Sequence, residues 1–197
     1  MFMFYVLFWS FIKLSSAQIP QFGPCPDINV MANFNSTKYS GTWYEAERYF
    51  AYYELGGKCV RAEYRVKHDD TIVITNQQES AMTGMRIVVR GEALQQSRSQ
   101  PAKMLVRVMP VPLDLATPYW VVHTNYDSYS VVWSCNDYNY FHTENAWILT
   151  RQREPSLDTL QKAYTIVDEN NMSRAYFAKT DHTNCTEIEP EKMLEIV

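Results

Sequence analysis

Val60-Arg61-Ala62-Glu63-Tyr64-Arg65-Val66 alternates without a break, apolar at even positions and charged at odd ones. Side chains of an extended chain project to opposite faces with a period of two. The segment therefore reads as a strand with one dry face and one wet face. Working outward, it belongs to a run over 59–67, and comparable runs rich in Tyr, Val, Ile, Thr and Trp cover 43–50, 71–77, 86–94, 102–109, 119–125, 128–135 and 145–152. Gly56-Gly57, Asp69-Asp70, Thr83-Gly84 and the stretch from Pro110 to Pro118 supply the breaks, and Tyr126-Asp127-Ser128 reads as a tight hairpin. Eight short strands at this spacing predict a sandwich or a closed barrel. After them the period changes: Leu157, Leu160 and Tyr164 share one helical stripe, with Ser156 as N-cap and Asp158 in the first turn. The helix is expected to end near Asn170-Asn171, with a last short strand over 174–179. One helix after eight strands predicts a helix laid on the outer wall rather than a βαβ fold.

The 197 residues are 46% hydrophobic and 20% charged, with a formal net charge of −4, an ordinary globular balance that favours one domain. No dense Lys/Arg patch invites nucleic acid or an acidic membrane surface. The aromatic share is 14%, including 14 Tyr and 5 Trp, which suits a cavity wall and a β-rich core equally. Residues 4–12 are apolar apart from Ser10, and Lys13 and Ser15-Ser16-Ala17 follow. Small residues at 15 and 17 predict a signal peptide over 1–17, cleaved between Ala17 and Gln18, and one mature domain over 18–197. The run is shorter than the roughly 20 apolar residues a membrane anchor needs, and no later stretch reaches that length, so no transmembrane segment is expected.

Four cysteines, Cys25, Cys59, Cys135 and Cys185, are even in number and widely spaced. In a secreted chain they read as two disulfides, with three connectivities open. They form no Cys-x-x-Cys or Cys/His cluster, so no metal site is expected. Sequons at Asn35, Asn171 and Asn184 are candidate glycosylation sites. No nucleophile elbow, zinc-protease motif, phosphate loop or dinucleotide fingerprint occurs, and the chain is not read as an enzyme.

Three further segments carry a specific signature. Asn33-Phe34 followed by Tyr39-Ser40-Gly41-Thr42-Trp43-Tyr44-Glu45, then Tyr119 through Thr124-Asn125-Tyr126 to Cys135, then Ala146-Trp147-Ile148-Leu149-Thr150-Arg151, resemble in order and spacing the three motifs of the lipocalin family. The likeness covers roughly residues 25–185 and is greatest to the apolipoprotein D group, with its insect relatives of the Lazarillo and bilin-binding kinds. Asn125 stands where the family usually has Asp. The resemblance implies an all-β fold: an eight-stranded antiparallel up-and-down barrel with one C-terminal α-helix packed outside. It further implies disulfides Cys25–Cys135 and Cys59–Cys185, and a closed end at which Arg151 lies across Trp43. Gly41, Trp43 and Arg151 are accordingly assigned to fold stability.

The same resemblance places Tyr39, Tyr64, Asn76 and Trp147 on a pocket wall. Strand parity agrees for Tyr64, which shares a face with Ala62 and Val66, and for Trp147, which shares one with Leu149. Asn76 is polar on an otherwise apolar run, a group that can orient a ligand. Gln78 replaces an acidic pocket residue of the relatives, which favours neutral ligand ends. The function implied is extracellular binding and transport of a small hydrophobic ligand, such as a fatty acid, sterol or retinoid-like lipid, with a cell-surface receptor as a further partner. No cofactor is expected beyond bound lipid or biliverdin. The alternatives are a biliverdin or pigment carrier and a lipid antioxidant, the latter relying on Met104 or Met109 at the mouth.

Overall fold

Alternation builds the sheet that a computed structural model of the chain shows; it describes residues 20–49, 56–67, 71–109 and 116–186. The expected leader over 1–17 lies outside the described residues. The barrel strands are β2 (Gly41–Tyr49), β3 (Gly57–Val66), β4 (Ile72–Ser80), β5 (Arg86–Gln95), β6 (Lys103–Met109), β7 (Ala116–Thr124), β8 (Tyr129–Asp137) and β9 (Phe141–Thr150). Each pairs antiparallel with the next, and β9 pairs back onto β2 through Tyr44–Thr150 and Arg48–Trp147, so the sheet closes on itself. Closure removes the edges that an open sheet would expose.

Two short strands pair with the lengths of β9 and β2 that reach beyond a barrel neighbour. β1 (Pro20–Phe22) lies against β9, and β10 (Phe177–Lys179) lies against β2. The expected strand over 174–179 begins instead as a 3₁₀ turn, Arg174–Tyr176, because the Arg174 side chain ties back to Asp168 and draws the chain into a turn before it pairs. The helix α2 (Leu157–Glu169), which follows a one-turn α1 (Ser36–Tyr39), starts where Ser156 accepts a hydrogen bond from the Thr159 amide at 3.2 Å.

Two cores result. Phe34, Tyr39, Trp43, Tyr64, Ile72, Ile74, Met104, Val121, Val132 and Leu149 pack inside the barrel. Outside it, Ala163 and Val167 of α2 press onto Val131, Trp133, Ala146 and Ile148. β8 serves both: odd positions face the helix, even positions face the interior, and it is buried from Tyr129 to Cys135. Disulfides join Cys25 to Cys135 and Cys59 to Cys185, pinning the N-terminal segment to β8 and the C-terminal segment to β3.

Candidate ligand cavity

The barrel's base is sealed from the residues upward. Gly41 has φ +99°, a conformation L side chains resist, and a Cβ there would come within 3.3 Å of the Arg151 guanidinium. The chain thereby turns Trp43 inward, fully buried, with its Nε1–H donating to the Tyr39 carbonyl at 2.8 Å. Arg151 stacks 3.8 Å from the centre of the Trp43 ring and donates to the carbonyls of Thr42 (2.9 Å), Ser40 (2.9 Å) and Tyr126 (2.8 Å). A guanidinium both stacked and tied to carbonyls is held far more firmly than either contact alone would hold it. Asn125 fits the turn between β7 and β8: its Oδ1 accepts from the Ser128 and Tyr129 amides at 2.9 and 3.0 Å, the acceptor work an Asp would do.

Above this seal lies a cavity of about 410 Å³. Ala62, Tyr64, Ile74, Val89, Val106, Tyr119, Trp147 and Leu149 make most of its wall apolar, while Asn76, Gln77 and Gln78 supply neutral polar groups. Near the rim Ile87 and Val108 also line it, 42% and 40% exposed, and there the cavity reaches solvent.

Of the residues expected on the wall, Tyr64, Asn76 and Trp147 line the cavity. Tyr39 does not. It is fully buried one level lower, because the single turn α1 tucks it under Tyr64, with ring centroids 5.2 Å apart. From there its hydroxyl reaches Ser130 (3.0 Å) and Tyr119 (3.3 Å), and Tyr119 meets Tyr64 at 2.8 Å. Burial pushes the Tyr39 phenol up to about 12, outweighing its hydrogen bonds to Ser130 and Tyr119. Burial likewise holds Tyr64 and Tyr119 well above the ordinary tyrosine value, so all three are neutral hydroxyls at neutral pH.

Tyr119, Glu45 and Arg61 line the wall without having been expected there. Tyr119 opens the second motif, and its strand begins earlier than expected, at Ala116, which carries it into the barrel; its ring stacks on Trp147 at 6.5 Å. Glu45 shares parity with Trp43, a signal available in the sequence, and its buried carboxylate accepts from Arg48 (2.6 Å) and Thr180 (2.7 Å). Arg61, expected on the wet face, is among the residues that border the cavity; its Nε and Nη2 donate to Gln77 Oε1 at 3.2 and 3.1 Å. Met104 is buried against Tyr119 of the neighbouring strand, away from the mouth, whereas Met109 at the rim is 53% exposed. Asn35, Asn171 and Asn184 are exposed. Among the described residues no cluster of His, Cys, Asp and Glu could hold a metal ion, and no helix is long and apolar enough to cross a membrane.

A closed antiparallel barrel, plugged at one end by a Trp–Arg stack and hollow above it, defines a β-barrel binding protein. The family model for the lipocalin / cytosolic fatty-acid binding protein family matches residues 40–184, and the chain belongs to this family. It is 34% identical to apolipoprotein D of Cavia porcellus over 175 residues, which are 87% of this chain and 89% of that one. It is 28% identical to the Lazarillo protein of Schistocerca americana, across 81% of this chain and 75% of that one. Among solved structures, insecticyanin of the tobacco hornworm Manduca sexta superposes with a TM-score of 0.74 at 22% identity, covering 85% of this chain and 90% of its own, a likeness of fold.

Proposed function

We propose that this chain binds a small hydrophobic molecule inside the barrel and carries it, without converting it, outside the cell. The apolar cavity of about 410 Å³ above a sealed base carries the reading, since its size suits a lipid-sized ligand. Burying about 300–400 Å² of apolar ligand surface at roughly 25 cal/mol/Å² contributes about 8–10 kcal/mol gross. Ordering and association subtract several kcal/mol, leaving affinity near micromolar or tighter. Tyr64, Asn76 and Trp147 contact the ligand, and Tyr39 supports them from below. The extracellular setting rests on two disulfides, the three exposed sequons and the apolar leader.

Native mass spectrometry with solvent extraction of the purified protein tests the proposal, alongside Ala62→Trp, which fills the cavity from a wall position that is 7% exposed. Wild-type protein is expected to release an apolar compound, which a visible absorption band would identify as pigment. Ala62→Trp is expected to fold and arrive empty. Equal loading of the filled barrel would overturn the carrier reading.

A further inference from the structure

Ser130, Tyr39, Tyr119 and Tyr64 form one chain of four hydroxyls, joined by three hydrogen bonds of 3.0, 3.3 and 2.8 Å. Each hydroxyl carries a single hydrogen, and each bond consumes one. Four hydrogens serving three bonds leave one to spare. Its position is not arbitrary. Ser130 and Tyr39 are both 0% exposed, and among the described residues their hydroxyls make no bond outside the chain, so a spare hydrogen on either would be a buried, unsatisfied donor. Tyr64 and Tyr119 both line the cavity. The spare hydrogen therefore belongs to the Tyr64–Tyr119 pair, where a ligand can accept it.

Among the described residues no cation lines the cavity at this depth. Arg151 lies on the far side of the Trp43 ring, committed to backbone carbonyls. Arg61 sits three residues nearer the rim than Tyr64, about 10 Å along the strand, and is bound to Gln77. Glu45 adds a negative group to the wall. A carboxylate pushed to the floor would lose its water and find one hydroxyl in return, a poor exchange for an ion.

We infer that the cavity selects elongated apolar molecules that end in a neutral oxygen acceptor (ketone, aldehyde, ester or alcohol), bound with that oxygen on the Tyr64–Tyr119 floor, and discriminates against carboxylates of equal length. The inference rests on the carrier reading and deepens it. Tyr64 and Tyr119 are specificity-determining through the single donor they share.

Competition against an environment-sensitive fluorescent lipid tests it, using a matched series of one chain length: methyl ketone, primary alcohol, carboxylate and plain alkane. In wild-type protein at neutral pH the ketone and alcohol are expected to displace the probe at least tenfold more effectively than the carboxylate. The double variant Y64F/Y119F, with folding verified by near-UV circular dichroism, is expected to lose about tenfold in ketone affinity while its alkane affinity holds, so the preference for oxygen collapses. A carboxylate that matches or beats the ketone in wild-type protein overturns the inference, even if the variant does not fold. So does a folded double variant that keeps its preference for the ketone. Alkane binding without discrimination by the oxygen sinks this inference alone, whereas failure of every compound, alkane included, sinks the carrier reading beneath it.

Discussion

Arg151 organises the base of the barrel by holding together three chain segments that are distant in sequence. Its Nε, Nη1 and Nη2 reach carbonyls at Tyr126, Thr42 and Ser40 while its flat face covers Trp43. A lysine keeps the charge but not the fork or the stacking plane. Arg151→Lys is expected to lower unfolding free energy by about 2 kcal/mol, a figure kept modest because the group is partly exposed, as read from urea denaturation. The tyrosine floor predicts alkaline behaviour. Tyr39 is raised from 10.0 to about 12 in the folded protein, so its stabilisation is complete below pH 10 and drains away as pH rises from there towards about 12. Tyr64 and Tyr119 shift in the same direction. Each adds a slope of up to about 1.4 kcal/mol per pH unit in that window. Urea midpoints should stay level to about pH 9 and fall steeply beyond pH 10; a level profile through that range would contradict the buried hydroxyl chain. Resemblance singled out Trp147 and Tyr64, and strand parity, a local property, agreed with it. The hydroxyl chain was not legible, because Tyr39 and Tyr119 are 80 residues apart and meet only in the closed barrel.

At the level of elements, β8 and α2 form the outer core that gives the helix its place. Val167 is 0% exposed and packs into the cluster holding Val131, Trp133 and Ile148. Val167→Ala should destabilise by about 2 kcal/mol through lost packing and a residual void, with ligand affinity unaltered because removing two methyl groups leaves a void without displacing β8; calorimetry and binding titration read the two effects separately. The sequence told the helix plainly, since Ser156 caps it and Leu160 and Tyr164 repeat on one face. It told β3 equally well through unbroken alternation. β1 was silent: Pro20-Gln21-Phe22 is short, carries a proline, and pairs with β9 beside contacts distant in sequence, the Cys25–Cys135 link and the hydrogen bonds of Gly23 with Tyr140 and His142. The 3₁₀ turn at Arg174–Tyr176 was hidden for a similar reason, since its cause is a side chain reaching back to Asp168.

For the molecule as a whole, both disulfides staple segments outside the barrel onto it. Their sequence separations are 110 and 126 residues, and loops of that size forfeit much denatured-state freedom when closed. Replacing Cys59 and Cys185 together by Ser is expected to cost about 4 kcal/mol, measured as a drop in urea midpoint, with the barrel's far-ultraviolet spectrum retained. Cysteine count predicted two bridges; resemblance, rather than spacing, singled out the pairing the structure contains.

β8 is a partition between two rooms, with side chains of Val131 and Trp133 furnishing one and those of Ser130 and Val132 the other. A partition cannot shift for the benefit of a single room. Any repacking beneath the helix that displaces this strand also resizes the chamber behind it and moves Ser130, the anchor of the hydroxyl chain. Ligand preference in this barrel is therefore adjustable from its outer surface, by residues that no ligand touches.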